Sequence, residues 1–423
     1  MALITRGIKN YSNGNQEMFN NSFARVNALA IFLVLSTGWL TLAKSIPLWN
    51  DEIFSQDRSV QNISYQEMFL GGIPDGNNSP LFYLTQKVSQ HTIGYKWPGT
   101  YDSNPLYAIP NRPGTRLVDT ERFANAFLRA LPVACMSASI TLIYFYFTTY
   151  WSIWLGYYSV LLSLSTFVVW EYAFHARPYA LWFFLTSLQF ILLLKSLDAR
   201  SAQGERTLLW ITLVHWLLSF TVIFSAVQII AACMVLWLFG ERRVFWHALM
   251  SAGPIFITAA YYIVVPHANM YLVDGPIALL GASLPLDRIA IIVVGLIIVG
   301  ASVLYRAKPL GQIVDKLHLL QGVSFFLLLI YCGAILILMK FRFEDLGFNE
   351  GYVRDCNAGC VSNRYFIVLA PVGIVMTSIA SHYITALTKG FYRIVGLLML
   401  LTLMVLRFSR TFDLVILRRL TGH

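Results

Sequence analysis

The stretch VNALAIFLVLSTGWLTL (residues 26–42) carries no charge, and nine residues beyond its end come two adjacent acids, Asp51 and Glu52, in Leu48-Trp49-Asn50-Asp51-Glu52-Ile53-Phe54. A run of this length and composition reads as a membrane-crossing helix rather than a soluble core segment. Two carboxylates where such a helix meets water are costly to hold close to the bilayer unless they serve a purpose. The pair therefore reads either as ordinary solvated loop charges or as an outward-facing acidic site.

The rest of the chain repeats the apolar pattern. Of its 423 residues, 57% are hydrophobic and only 12% charged, against about 25% charged in a soluble domain. The mean hydropathy is +0.61. The apolar runs are continuous rather than alternating, which selects helical spans over a β-barrel. The expected fold is thus an all-α polytopic membrane protein. Residues 26–42 lie behind a polar N-terminal segment and ahead of many further apolar runs, so they read as an uncleaved first span. Ten more spans are predicted at about 126–149, 152–170, 178–195, 207–222, 224–240, 245–265, 287–305, 319–339, 364–386 and 391–408, about eleven in all. A single membrane domain over 1–423 is expected, with no appended soluble domain. It has a long first outer loop, 44–125, and a late outer loop, 340–363.

Charge sets the orientation. The net +10 sits largely in alternate connections: Lys195, Arg200 and Arg206; Arg242 and Arg243; Arg306, Lys308 and Lys316; Lys389 and Arg393. By the positive-inside rule these and the N-terminus are cytoplasmic, in the plasma (inner) membrane. The same excess argues for lipid phosphates rather than nucleic acid as its counterpart. Arg407, Arg410, Arg418 and Arg419 fall on the outer side of an eleven-span count, against that rule. In the first outer loop, Ser79 is expected to cap a surface helix starting at Pro80, with Leu81, Leu84, Val88 and Thr92 on its apolar face.

With sidedness assigned, the unusual residues collect on the outer face. They are Asp51 and Glu52; Arg129, just inside the second span; the run Glu171 to Tyr179, which includes His175, Arg177 and Tyr179; and Arg364-Tyr365 at the start of the tenth. A carboxylate able to take a proton from an acceptor hydroxyl and arginines able to neutralise a phosphate leaving group are what a reaction at the outer membrane surface requires. Arg177 and Arg364 also fit helix ends that snorkel among headgroups. His91 and His175 read first as hydrogen-bonded or solvated side chains, Gln228 as a bond between helices, and Asp274 as a turn residue. Cys356 and Cys360 lie in an outer loop, where a small disulfide-closed loop is favoured over a metal site, which would need more ligands.

The ordered set of an acidic pair after the first span, Asn78-Ser79-Pro80-Leu81 in the same loop and Ala176-Arg177-Pro178-Tyr179-Ala180-Leu181 opening the fourth span resembles the GT-C membrane glycosyltransferases. The likeness is to the dolichyl-phosphate-mannose protein mannosyltransferase-like group, which includes the bacterial aminoarabinose transferases. It covers residues 26–240 and, more loosely, Arg364-Tyr365 with Pro371. The loop element departs from the family's usual His-Pro-Pro-Leu, and Thr221-Val222 stands where a Thr-His pair is common. The resemblance implies inverting transfer from a polyprenyl- or dolichyl-monophosphate sugar to a glycolipid, glycan or protein acceptor. Asp51 would then be the catalytic base, Glu52 its catalytic neighbour, and Arg177, Tyr179, Arg364 and Tyr365 the lining of the donor site. Arg129 joins that phosphate-binding set by its depth in the span. Hard oxygen ligands at Asp51 and Glu52 suit Mg²⁺ or Mn²⁺. The competing readings are a transporter or flippase of lipid-linked glycans, and a polysaccharide polymerase or ligase that uses diphosphate-linked donors.

Overall fold

The computed structural model describes residues 2–46, 50–70, 79–95, 119–197, 204–239, 244–264 and 367–387, with a few isolated positions beside them. Among these residues every element is a helix. In chain order they are α1 (Ala2–Ser45), α2 (Asn50–Gln56, continued by a π-turn over Asp57–Gln61), α3 (Tyr65–Phe69), α4 (Leu81–Thr92), α5 (Asp119–Tyr150), α6 (Ile153–Leu164) and α7 (Phe167–Ala173). Then come α8 (Tyr179–Leu197), α9 (Gly204–Ser219), α10 (Ser225–Phe239), α11 (Val244–Met250), α12 (Ala252–Val264) and α13 (Leu369–Leu387).

Three helical stretches are long and apolar enough to cross a membrane: Ser22–Ser45, Arg122–Tyr150 and Tyr179–Leu197. A fourth arises if α6 and α7, bent by 69° at their junction, count as one span. The described residues therefore carry three or four such spans, not the eleven expected. The run at 207–240 resolves into α9 and α10, shorter than a full crossing, and 245–265 breaks at Ser251 into α11 and α12. The expected spans at 287–305 and 319–339 lie outside the described residues, and 391–408 lies largely outside them. The N-terminal segment, expected to be a polar tail, is helical from Ala2.

The bend between α6 and α7 has a local cause. Ser163 bonds back to the Ser159 carbonyl, while Ser165 and Thr166 both bond to the Leu162 carbonyl at 2.8 Å. Hydroxyls competing for the helical carbonyls bend a helix or end it. Trp170 then closes the corner by donating its indole N–H to the Leu164 carbonyl at 2.5 Å.

Helices α1, α6 and α8 pack around α5. Their shared core includes Trp39, Met136, Phe147, Trp182 and Phe183, and Trp39 meets Trp170 edge-on at 5.9 Å. The outer side of α1 leaves Val26, Leu29, Leu33 and Val34 exposed. An apolar band like this calls for covering by something other than water.

The first-loop helices form a second, smaller core of Val60, Ile63, Met68, Ile73, Phe82 and Tyr83. The expectation for α4 is corrected here. Ser79 makes no side-chain cap, and its amide instead donates to the Thr221 carbonyl at 3.1 Å. The buried face carries Phe82, Tyr83, Gln86 and Gln90, whereas Val88 is exposed. The face chosen from apolar spacing loses because these glutamines have partners. Gln90 donates to Gln56 at 2.7 Å and accepts from Gln61. Lys87 reaches back to the carbonyls of Val60 and Ile63, closing the end of the π-turn.

Gln86 has the most specific task. Pro132 lies inside α5 and has no N–H to give the carbonyl four residues earlier. That carbonyl belongs to Leu128, and Gln86 Nε2 donates to it at 2.7 Å. Gln86→Leu should therefore cost about 1–3 kcal/mol by leaving a buried carbonyl unmet. In a Pro132→Ala background, where the helix supplies its own N–H, the cost should largely vanish. Thermal unfolding of the four chains in detergent measures this coupling, and additive costs would refute the assignment.

Candidate functional site

The centre of the site is Arg129. It sits one turn beyond Asn125 on the same face of α5, and both side chains reach the C-terminal end of α1. Helix ends leave carbonyls without partners. Here Asn125 Nδ2 donates to Ile46 O at 3.2 Å, and Arg129 Nη1 donates to Ala43 O at 2.9 Å and to Ile46 O at 2.6 Å. The rest of the guanidinium meets Glu52 in a two-pronged pair, Nε to Oε1 at 2.9 Å and Nη2 to Oε2 at 2.6 Å. Arg129 is 1% exposed and Glu52 is fully buried.

Glu52 also draws in the second half of the site. The backbone N–H of Ala176 donates to its Oε1 at 2.6 Å, so the turn between α7 and α8 is held against the start of α2. In that turn His175 meets Tyr172 edge-on at 5.6 Å, Tyr172 lies 4.9 Å from Tyr179, and Arg177 stands 5.4 Å over the Tyr179 ring. Pro178 precedes the first residue of α8, a place where its missing N–H costs nothing. Arg177 and His175 are both largely buried.

This geometry corrects the role expected for two residues. Glu52 is not an outward-facing acid, and Arg129 is not a free anion-binding group: each occupies the other. Burial alone would raise the Glu52 carboxyl. The Arg129 charge and hydrogen bonds, with nearby His175 and the Ala176 N–H, outweigh it and hold the group at about 2 against an ordinary 4.5. Both Glu52 oxygens are thus engaged, Oε1 by Arg129 and the Ala176 amide and Oε2 by Arg129. The backbone of Asp51 lies in α2, one residue before this anchor. Arg177 and Tyr179 are brought to the same corner. Arg364, Tyr365, Cys356, Cys360 and Asp274 lie outside the described residues.

Several groups went unnoticed in the sequence. Asp57 is buried at the start of the π-turn, paired with Arg58 at 3.5 Å and accepting from Asn62 at 3.2 Å. A buried polar row also crosses the bundle. Trp182 donates to Gln228 at 3.0 Å; Gln228 donates to Thr186 at 3.1 Å and to Gln189 at 2.5 Å; Gln189 in turn meets His215 at 2.8 Å. Gln228 thus joins helices as expected; its partners Trp182, Thr186 and Gln189 share one face of α8, but nothing in the sequence ties that face to Gln228.

No protein-family model and no curated protein matches this chain.

Two predictions follow from the pair. Arg129→Met leaves a buried carboxylate unmatched and should cost about 3–5 kcal/mol, while the double variant with Glu52→Gln should recover part of that loss. Because the folded Glu52 carboxyl lies below its ordinary value, its contribution is complete above about pH 4.5 and drains away as the pH falls towards 2. Thermal melts should therefore drop over that range in the natural chain, and Glu52→Gln should lack that component.

Proposed function

We propose that this chain is an inverting membrane glycosyltransferase of the GT-C kind, which moves a sugar from a polyprenyl-monophosphate carrier to an acceptor at the outer membrane surface. The observation that carries the reading is the Glu52–Ala176 hydrogen bond. It joins the acidic element after α1 to the Ala-Arg-Pro-Tyr element opening α8, two parts of the chain that transfer chemistry needs side by side. The proposal includes the fuller bundle of about eleven spans, the cytoplasmic N-terminus and the plasma-membrane location expected from charge.

In this mechanism Asp51 accepts the proton of the acceptor hydroxyl. The freed oxygen attacks the anomeric carbon from the face opposite the phosphate, and the bond from that carbon to the phosphate oxygen breaks. Arg177, with Arg364, balances the charge on the departing polyprenyl monophosphate. Tyr179 lines the donor pocket beside Arg177, and Tyr365 lines it beside Arg364. Glu52 and Arg129 act at one remove, by fixing where residue 51 stands. The donor's lipid tail enters sideways from the bilayer, which puts its phosphate at the depth of the helix mouths.

A flippase of lipid-linked glycans is the second reading, favoured by the buried polar row from Trp182 to His215. A transporter places polar groups within its bundle in this way. Purified protein supplied with a panel of polyprenyl-monophosphate sugars separates the two. A transferase consumes one donor and releases the carrier phosphate; a flippase moves labelled donor across a vesicle without consuming it. Asp51→Asn should lower transfer by about 10²–10⁴-fold while the protein still inserts and folds. Near-normal turnover by that variant would end the role given to Asp51.

A further inference from the structure

Three helices away from this corner converge on a second cluster. His215 on α9, Cys233 on α10 and His247 on α11 each present one ligand atom, and these atoms all lie within 4.8 Å of one another. Both histidines are fully buried.

The state of His247 can be deduced from its neighbours. Thr212 Oγ1 gives its proton to the Leu208 carbonyl at 3.0 Å. With its proton placed on that carbonyl, the hydroxyl acts as acceptor toward His247 Nδ1, 2.9 Å away. Nδ1 carries the ring proton, and Nε2 is left as a bare lone pair. That atom is buried and has no hydrogen-bond partner. A buried acceptor left unmet is costly, and a cation is the ligand that a bare imidazole nitrogen suits best. A bond on the other ring nitrogen that fixes the tautomer is how metal-binding histidines are usually held.

His215 is oriented in a similar way. Its Nδ1 faces Ser251 Oγ at 3.1 Å and its Nε2 faces Gln189 at 2.8 Å. One of these contacts gives way to the metal and the other keeps the ring in place. Cys233 supplies sulfur.

Charge selects the ion. From Thr207 to Val264 in the sequence the only acidic residue is Glu241, between the segments that form α10 and α11. Two neutral imidazoles and one thiolate carry a single negative charge. A divalent ion would leave a net positive charge buried among apolar helices, which is expensive. A monovalent ion leaves none, and soft sulfur with imidazole favours copper(I). We propose that His215, Cys233 and His247 form a buried three-coordinate copper(I) site that ties α9, α10 and α11 together. Binding exchanges the Cys233 S–H bond for an S–Cu bond and releases one proton to solvent, with no change of oxidation state.

The site is independent of the sugar-transfer reading and is tested without it. The full-length protein in detergent, kept anaerobic and reduced, is titrated with copper(I) against a colorimetric chelator. X-ray absorption then reports the ligand atoms. The expected result is one tightly held copper with two nitrogens and one sulfur near it. Cys233→Ala and His247→Gln should each remove that equivalent, lowering affinity by about 100-fold or more, while the metal-free variants melt within a few degrees of the parent. Should one variant fail to fold, the other still decides. Equal copper retention by parent and variants would overturn the proposal, as would a parent that takes Zn²⁺ at these three atoms in preference to copper(I).

Discussion

A single guanidinium on α5 decides how the first third of the chain is arranged. Arg129 closes the carbonyl end of α1, and the same group then grips Glu52 and so sets the direction in which the chain leaves that helix. An ion pair this buried is not in itself a source of stability, because removing two charges from water costs about as much as their attraction returns. What it supplies is specificity. With both partners desolvated, any arrangement that separates them is strongly disfavoured, so α1, α2 and α5 have one way to meet. The Ala176 amide then brings the α7–α8 turn to the same carboxylate.

That arrangement changes the meaning of the acidic pair. Adjacent residues on a helix point in different directions, so two neighbouring carboxylates need not share a task. Glu52 turns inward and is neutralised. The backbone at residue 51 is fixed by its neighbour's contacts. If a reaction takes place here, its precision depends on an anchor that never touches the substrate. The same logic runs through the first loop, where Gln86 answers the carbonyl exposed by Pro132 and Lys87 closes the π-turn. In both places a polar side chain completes backbone that a helix leaves open.

The buried histidines show the opposite condition. His215 and His247 lie buried beside Gln189, Thr212 and Ser251, and one ring nitrogen, His247 Nε2, remains unmet. A protein interior seldom leaves a nitrogen in that state. The contrast with Arg129, four of whose N–H groups have partners, is what separates a structural device from a binding site.

Composition and continuous apolar runs were enough to establish helices rather than strands among the described residues, and the runs at 26–42, 126–149 and 178–195 match the three spanning helices to within a few residues at each end, because hydropathy over some twenty residues is a local property. That Glu52, Arg129 and the stretch 175–179 would gather was also legible, since charge is rare in such a chain and stands out. Pairing was not. Glu52 and Arg129 are 77 residues apart, and nothing in either segment says that one serves the other instead of a phosphate. The buried face of α4 escaped for a related reason: apolar spacing points one way, while glutamines with distant partners point the other. The copper-binding candidates come from three helices with no motif spacing between them. Which groups are satisfied, and by what, is a property of contacts between remote segments, so only the tertiary structure could decide it.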